Sequence, residues 1–261
     1  MLNIAIKAAR RGANVVQQAF VKLDGISIEK KDNNSIVTEV DRAAEAAIME
    51  VILDAYPTHT ILAEESGYHA NQEEDYQWVI DPLDGTTNFM HGHPHYAISI
   101  ALAYKGQTQQ AVVYNIQRNQ LFTATRGNGA YLDDRRIHVS KRAHFDACLL
   151  STSIPTFNKK TADLYLAILR DMVGLQISTR NEGSAALDLC HVAAGQTDGF
   201  FAFHLKPWDI AAGALIVEEA GGIVTDSYGE NNSFKTGHIV AANPKLLDQL
   251  LRLMSKHIKI V

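Results

Sequence analysis

Leu2, Ala5, Ile6, Ala9, Ala13, Val16 and Phe20 recur at helical spacing, while Lys7, Arg10, Asn14, Gln17 and Gln18 fill the opposite side. That pattern predicts an amphipathic helix docked on a core, not an export signal. A second helix is expected from Thr38, whose hydroxyl can cap its first turn. Its apolar stripe is Val40, Ala44, Ala47, Ile48, Val51 and Ile52, and Pro57 ends it. Residues 60–63 and 78–80 read as short buried strands, each running directly into acidic residues. The polar stretch 67–75 between them predicts a loop. Strands then follow over 97–104, 111–116, 121–124 and 130–132, with turns at Lys105-Gly106, Arg118-Asn119 and Gly127-Asn128-Gly129.

Beyond this point strand and helix alternate. Residues 149–152, 223–225 and 239–242 predict strands, and 161–173, 183–194, 208–220 and 244–256 predict helices. Gly221-Gly222 stops the third of these helices and Pro244 opens the fourth. No repeat or linker interrupts the 261 residues. The expectation is a mixed α/β fold forming a single unit over 1–261, with a mostly antiparallel half over 1–145 and an α/β half over 146–261.

Composition narrows the function. The chain is 46% hydrophobic and 20% charged, ordinary for a globular protein. A net charge of −5 argues against a broad nucleic-acid surface. No stretch approaches the ~20 apolar residues that span a bilayer. Cys148 and Cys190 are too few for a disulfide framework and sit among apolar neighbours, so they read as packed thiols in a reducing cytoplasm.

Carboxylates stand at the edges of apolar elements in four places: Asp41, Glu64-Glu65, Asp81 with Asp84, and Asp209. Each alone has a plain structural explanation as a helix cap, a turn residue or a solvated pair. Together they suggest one acidic cleft. Such a cleft repels a phosphate ester unless cations neutralise it, and carboxylates with a backbone carbonyl suit Mg2+. Gly85-Thr86-Thr87 adds a turn whose backbone N–H groups can cradle phosphate oxygens and a hydroxyl that can orient a water.

The run Ile80-Asp81-Pro82-Leu83-Asp84-Gly85-Thr86-Thr87-Asn88-Phe89 resembles the first signature of the inositol monophosphatases. Pro207-Trp208-Asp209-Ile210-Ala211-Ala212-Gly213, followed by Glu219-Ala220-Gly221-Gly222, resembles the second. Segments 36–41 and Glu64-Glu65-Ser66 fall where that family has its other acidic residues, and Gly183-Ser184-Ala185-Ala186 resembles its substrate-side turn. Stretches such as Ala124-Thr125-Arg126-Gly127 are similar to the bacterial SuhB-type members.

The resemblance implies a layered α/β/α/β/α sandwich of the inositol monophosphatase and fructose-1,6-bisphosphatase type. It implies two or three Mg2+ ions: one held by Glu64, Asp81 and the Leu83 carbonyl, a second by Asp81, Asp84 and Asp209, and a weaker third at Glu64. Gly85 and Thr86 would bind phosphate, and Asp41 with Thr86 would activate the water. Asp84, Gly183, Ser184, Ala185 and His204 would face the substrate. A cytoplasmic homodimer, lithium sensitivity and, through the SuhB-type members, association with the transcription machinery are also implied. Arg180 and Arg135-Arg136 are candidate contacts for such a partner.

One departure bears on the substrate. Family members acting on inositol phosphates usually carry a Glu seven residues before the position of Asp209, and here that position is Ala202, in Ala202-Phe203-His204. The carboxylate that would grip a sugar hydroxyl is missing. His91, His93 and His95 alternate, which would place them on one side of an extended segment, either trapping a transition metal or lining a polar mouth. A phospho-aspartyl mechanism needs Asp-x-Asp spacing, which the two residues between Asp81 and Asp84 do not give.

Overall fold

The computed structural model of the chain describes residues 1–21, 28–30, 36–155 and 159–258. In chain order, helix α1 (Leu2–Phe20) is followed by the strand pair β1 (Ile28–Lys30) and β2 (Ile36–Thr38), helix α2 (Glu39–Ala55), β3 (His59–Ala63), β4 (Gly67–His69) and β5 (Glu73–Asp84). A short helix α3 (Thr86–Met90) leads into β6 (Ala97–Tyr104), β7 (Gln107–Asn115), β8 (Gln120–Thr125), β9 (Gly129–Leu132) and β10 (Arg135–Arg136). The second half holds β11 (Leu149–Thr152), α4 (Lys159–Gly174), β12 (Ser178–Arg180), α5 (Ala185–Ala193), β13 (Gly199–Ala202) and α6 (Pro207–Glu219). It ends with β14 (Ile223–Thr225), α7 (Ser233–Thr236), β15 (Ile239–Ala242) and α8 (Pro244–Ser255).

Strands β10-β9-β8-β7-β6-β5-β3-β4 make one eight-stranded sheet, antiparallel except where β3 lies parallel to β5. A five-stranded sheet has the order β12-β11-β13-β15-β14 and mixes parallel and antiparallel pairs. Strand alternation assigns the faces of both sheets. Trp78, Ile80, Ile98, Ile100 and Val112 pack on α1 and α2, while the alternate residues Val79, Ala97, Ala101, Ala111 and Val113 pack on α5 and α6. In the small sheet Phe200 and Ala241 face α5 and α6, and Phe201 and Val240 face α4 and α8. The layers are therefore α1/α2, large sheet, α5/α6, small sheet and α4/α8. Central strands covered on both faces read as apolar runs, as β6 does.

Two expectations change. The polar stretch 67–75 is not a loop: β4 folds back on β3, and β5 begins at Glu73. Its side chains are polar because this is the sheet edge, where β4 is largely exposed. The helix expected from residue 183 starts at Ala185, because Gly183 takes φ +81° and Ser184 caps the first turn. Among the described residues no helix is long and apolar enough to cross a membrane.

Several signature residues prove to be packing devices. Glu219 accepts hydrogen bonds from the N–H groups of Gly127 (2.8 Å) and Gly129 (2.7 Å), tying the β8–β9 turn to the end of α6. A Cβ at Gly213 would lie 2.6 Å from Leu189 Cδ1 and 2.7 Å from its Cβ, so this glycine lets α6 approach α5. Overpacking there costs about 1–3 kcal/mol, against about 1 kcal/mol regained in helix propensity. Gly213→Ala is expected to lower the free energy of unfolding in urea, and an unchanged or raised midpoint would contradict this close approach.

Candidate active site

Asp41 sits where β2 passes into α2, at the third residue of a reciprocal cap. The Thr38 N–H donates to Asp41 Oδ2 at 2.9 Å and the Thr38 hydroxyl donates to the same oxygen, while the Val40 N–H donates to Thr38 Oγ1. This use of one carboxylate oxygen leaves Oδ1 facing Thr86, whose Oγ1 stands 2.9 Å away. The same Thr86 oxygen lies 3.0 Å from the Leu83 carbonyl, so its single proton is shared between two acceptors. Asp41 is buried, and burial raises its pKa against the lowering effect of the Thr38 and Thr86 hydrogen bonds.

The Asp81–Asp84 segment belongs to strand β5, not to a turn after it. The pairing with β6 runs Asp81 to Ser99 and then Asp84 to Ala97, so β5 carries one extra residue here. Residues three apart on a regular strand point to opposite faces; the bulge reverses that parity and brings both carboxylates to one side. Pro82 is tolerated because a bulge has no ladder bond for it to donate. The Leu83 N–H donates to Asp81 Oδ1 at 3.0 Å. Gly85 then turns the chain at φ +97°, where a Cβ would lie 3.0 Å from the His95 carbonyl. Helix α3 starts at Thr86, and the first N–H groups of a helix have no intrahelical partner.

Asp84 is held from the second half of the chain. Ser184 Oγ donates to its Oδ2 at 2.6 Å and the Ala186 N–H donates at 2.8 Å. Asp209 stands in the first turn of α6, with one oxygen accepting from the Lys206 N–H at 2.7 Å. Ser99, opposite Asp81 on β6, donates to the Trp208 carbonyl at 3.3 Å and fixes that helix start against the large sheet. Glu64 follows β3, with its N–H donating to the Ile80 carbonyl at 3.1 Å. Glu45, a buried residue of α2 with no place in the sequence reading, accepts from the N–H groups of Glu65 (2.8 Å) and Ser66 (2.9 Å). It shapes the turn that carries Glu64. Its signal was a Glu within the apolar side of an otherwise regular helix.

Electrostatics join these groups. Burial first, then the charges of Glu64, Asp84 and Asp209, push the Asp81 pKa well above the usual carboxylate range. Asp209 is raised to about 8, by burial and the Asp84 charge, with the Lys206 N–H opposing. Asp84 is raised by burial against the hydrogen bonds from Ser184, Ala186 and Ala185. Four carboxylates that resist simultaneous ionisation, with a carbonyl beside them, fit hard divalent cations. Among the described residues no three of them bring ligand atoms within 4.8 Å of one another, so the cleft suits a distributed set of ligands completed by other oxygens.

The expected substrate side is divided. Gly183, Ser184 and Ala185 do adjoin Asp84. Ala202, by contrast, is 1% exposed within the apolar layer between the sheets. The His204 ring stands 2.6 Å from Thr161 Oγ1 and edge-on to His238. The three alternating histidines are not equivalent: His91 and His93 are exposed while His95 is buried, its ring centroid 6.5 Å from that of His93. The break in alternation comes from the end of α3, after which the chain bends before β6 begins.

The sequence profile described as the inositol monophosphatase family matches residues 1–259. The chain belongs to the inositol monophosphatase family. It is 48% identical over 254 residues, 97% of this chain and 95% of the relative, to the Nus factor SuhB of Escherichia coli. Among solved structures it is similar to the extragenic suppressor protein suhB of Bartonella henselae, with TM-score 0.95 and 38% identity covering 98% of both chains. It is likewise similar to the inositol monophosphatase of Anabaena, with TM-score 0.86 and 36% identity covering 98% of this chain and 96% of that one. As a member of the inositol monophosphatase family it is a metal-dependent phosphatase with the layered sandwich described above.

The raised carboxylates make the metal-free protein sensitive to alkali. Asp209 ionises near 3.8 in an unfolded chain and near 8 in the folded one, so folding takes up a proton between these values. Its stabilising contribution is fully present below pH 3.8 and is lost as pH rises through about 8. The Tm of chelator-treated protein is expected to fall from pH 5 to pH 9, and Asp209→Asn to flatten that fall. A slope identical in the variant would contradict the assignment.

Proposed function

We propose that this chain is a Mg2+-dependent phosphomonoesterase acting on inositol-1-phosphate or a related sugar, polyol or nucleotide monophosphate by direct attack of water. The observation that carries the reading is the burial of Asp81, its pKa raised by that burial and by the charges of Glu64, Asp84 and Asp209, next to a Thr86–Asp41 hydrogen bond. Glu64, Asp81, the Leu83 carbonyl, Asp84 and Asp209 would hold two or three ions. When bound, Mg2+ supplies neutralisation of the acidic cleft and Lewis acidity toward the phosphate.

The protein's own groups do the rest. The Gly85 and Thr86 N–H groups at the start of α3 receive phosphate oxygens. Water attacks phosphorus as its proton passes to Thr86 Oγ1 and the Thr86 proton passes to Asp41 Oδ1, 2.9 Å away. The leaving oxygen takes a proton from solvent. Thr38 keeps Asp41 oriented by occupying its other oxygen. Gly183, Ser184 and Ala185 line the side where the alcohol enters, and Ala202 supplies no carboxylate to grip it. A hydrogen-bonding site that loses its polar partner loses orders of magnitude in discrimination. We further propose that residues 1–261 act as one unit in a lithium-sensitive, cytoplasmic homodimer.

A second role is favoured by the 48% identity to a relative named Nus factor SuhB. In that reading the chain also associates with the transcription machinery, with Arg180 and Arg135-Arg136 as exposed contacts. Retention of RNA polymerase or elongation factors by the purified chain tests it, and recovery of neither at low salt would count against it.

Phosphate release is expected to require Mg2+ and to fall by roughly 10²–10⁴ in Thr86→Ala, as for loss of a proton-transfer group. Asp84→Asn and Asp209→Asn should abolish it, and full activity in both would sink the assignment. Across a panel of inositol-1-phosphate, glycerol phosphates, adenosine monophosphate and fructose-1,6-bisphosphate, discrimination is expected to be shallow. A wide preference for inositol-1-phosphate would overturn the reading of Ala202.

A further inference from the structure

Beside the acidic cleft lies a second group of ligating side chains that the phosphatase chemistry does not use. Asn88 Nδ2 donates to the carbonyls of both His95 and Glu182 at 2.7 Å, holding two distant segments together. Around that junction the side chains of His95, Glu182 and Asp188 bring one ligand atom each within 4.8 Å of one another. His191, one turn along α5 from Asp188, adds a second imidazole, with its Nδ1 3.5 Å from Glu182 Oε2. The same Glu182 oxygen is 3.8 Å from His95 Nε2.

These atoms converge without bonding to one another. Asp188 is fully buried, with only a weak contact from the Ser151 hydroxyl and no hydrogen bond of normal length to either oxygen, and His95 Nε2 and His191 Nε2 have none either. A buried carboxylate is costly unless it is protonated or matched by a counter-charge, and a bound cation would supply that charge. Contacts of 3.5 and 3.8 Å are too long for strong hydrogen bonds. They come close to the roughly 3.3–3.4 Å separating ligands on a tetrahedron with bonds of 2.0–2.1 Å. Both histidines are disfavoured as cations, His95 down to about 4, chiefly through burial and with Glu182 opposing. Neutral imidazole is the form that ligates a metal.

We propose that His95, Glu182 and Asp188, with His191 Nδ1 beside Glu182, bind one borderline divalent cation of the Zn2+ type, at a site distinct from the acidic cleft. An imidazole with carboxylates favours such an ion over Mg2+, which prefers an all-oxygen, hydrated shell. The ion clamps the segment before β6 to the turn that carries Ser184, and so braces the hydrogen bond from Ser184 to Asp84. Its role is structural, since Asn88, three residues past Gly85, joins it to the α3 turn through the His95 and Glu182 carbonyls.

The test is a Co2+ titration of the chelator-treated full chain in excess Mg2+, read by visible d–d absorption, followed by Zn2+ competition and Tm. The wild type is expected to take up about one Co2+ per chain that Zn2+ displaces and Mg2+ does not. Affinity should drop by roughly 10-fold or more in His95→Gln and Glu182→Gln, and a Zn2+-dependent rise in Tm should vanish with it. Glu182 is partly exposed, so its amide variant is expected to fold. Asp209→Asn, which impairs the acidic cleft, should bind Co2+ as the wild type does. Absence of the band in excess Mg2+, its survival in both Gln variants, or its loss in Asp209→Asn would each overturn the proposal.

Discussion

Repulsion among Glu64, Asp81, Asp84 and Asp209 is the constraint on which the rest of this structure depends. Carboxylates left to relax would turn toward water and separate. Here each is fixed within or beside a regular element, and backbone N–H or hydroxyl donors hold one oxygen of Asp84 and of Asp209. The molecule thus stores an anionic cleft that favours protons or cations. The phosphate chemistry of the inositol monophosphatase family requires such a cleft, because a phosphate monoester enters it only after the charge is neutralised.

Holding four anions in register demands a stiff scaffold, and the layered packing supplies it. Asp81 and Asp84 ride on a strand covered on both faces; Asp209 heads the central helix; Ser184 caps the helix beside it. Gly213 lets those two helices approach closely, and Ser99 and Glu219 bond the central helix to the large sheet. Such packing makes small displacements expensive. The second cluster at His95 and Glu182 extends the same logic, since it lies where Asn88 ties the end of α3 to the segment that steadies Asp84.

The helices and the buried strands were legible because the apolar period was clear, and the acidic positions were legible because each interrupts an apolar element. What escaped the sequence has identifiable physical causes. Strand β5 was read as ending before Asp81 because Pro82 is a strand breaker everywhere except at a bulge. The edge strand β4 carries polar residues like a loop, since few of its side chains face a core. Short pieces such as α3, β12 and β13 are too brief to show a period. Glu45 and Ser99 act through backbone groups of distant segments, a relation no local pattern encodes. The histidine cluster joins residues nearly a hundred positions apart, brought together by tertiary contacts such as the Asn88 bridge.

Diffraction at the manganese absorption edge, from crystals of the full chain grown with Mn2+ and inorganic phosphate, tests the central claim most directly. The account predicts anomalous peaks within bonding distance of the Asp81 carboxylate, shared with Asp84, Asp209 and Glu64, and a phosphate against the Gly85–Thr86 N–H groups. Ions and phosphate bound elsewhere, with the four carboxylates left uncoordinated, would contradict it.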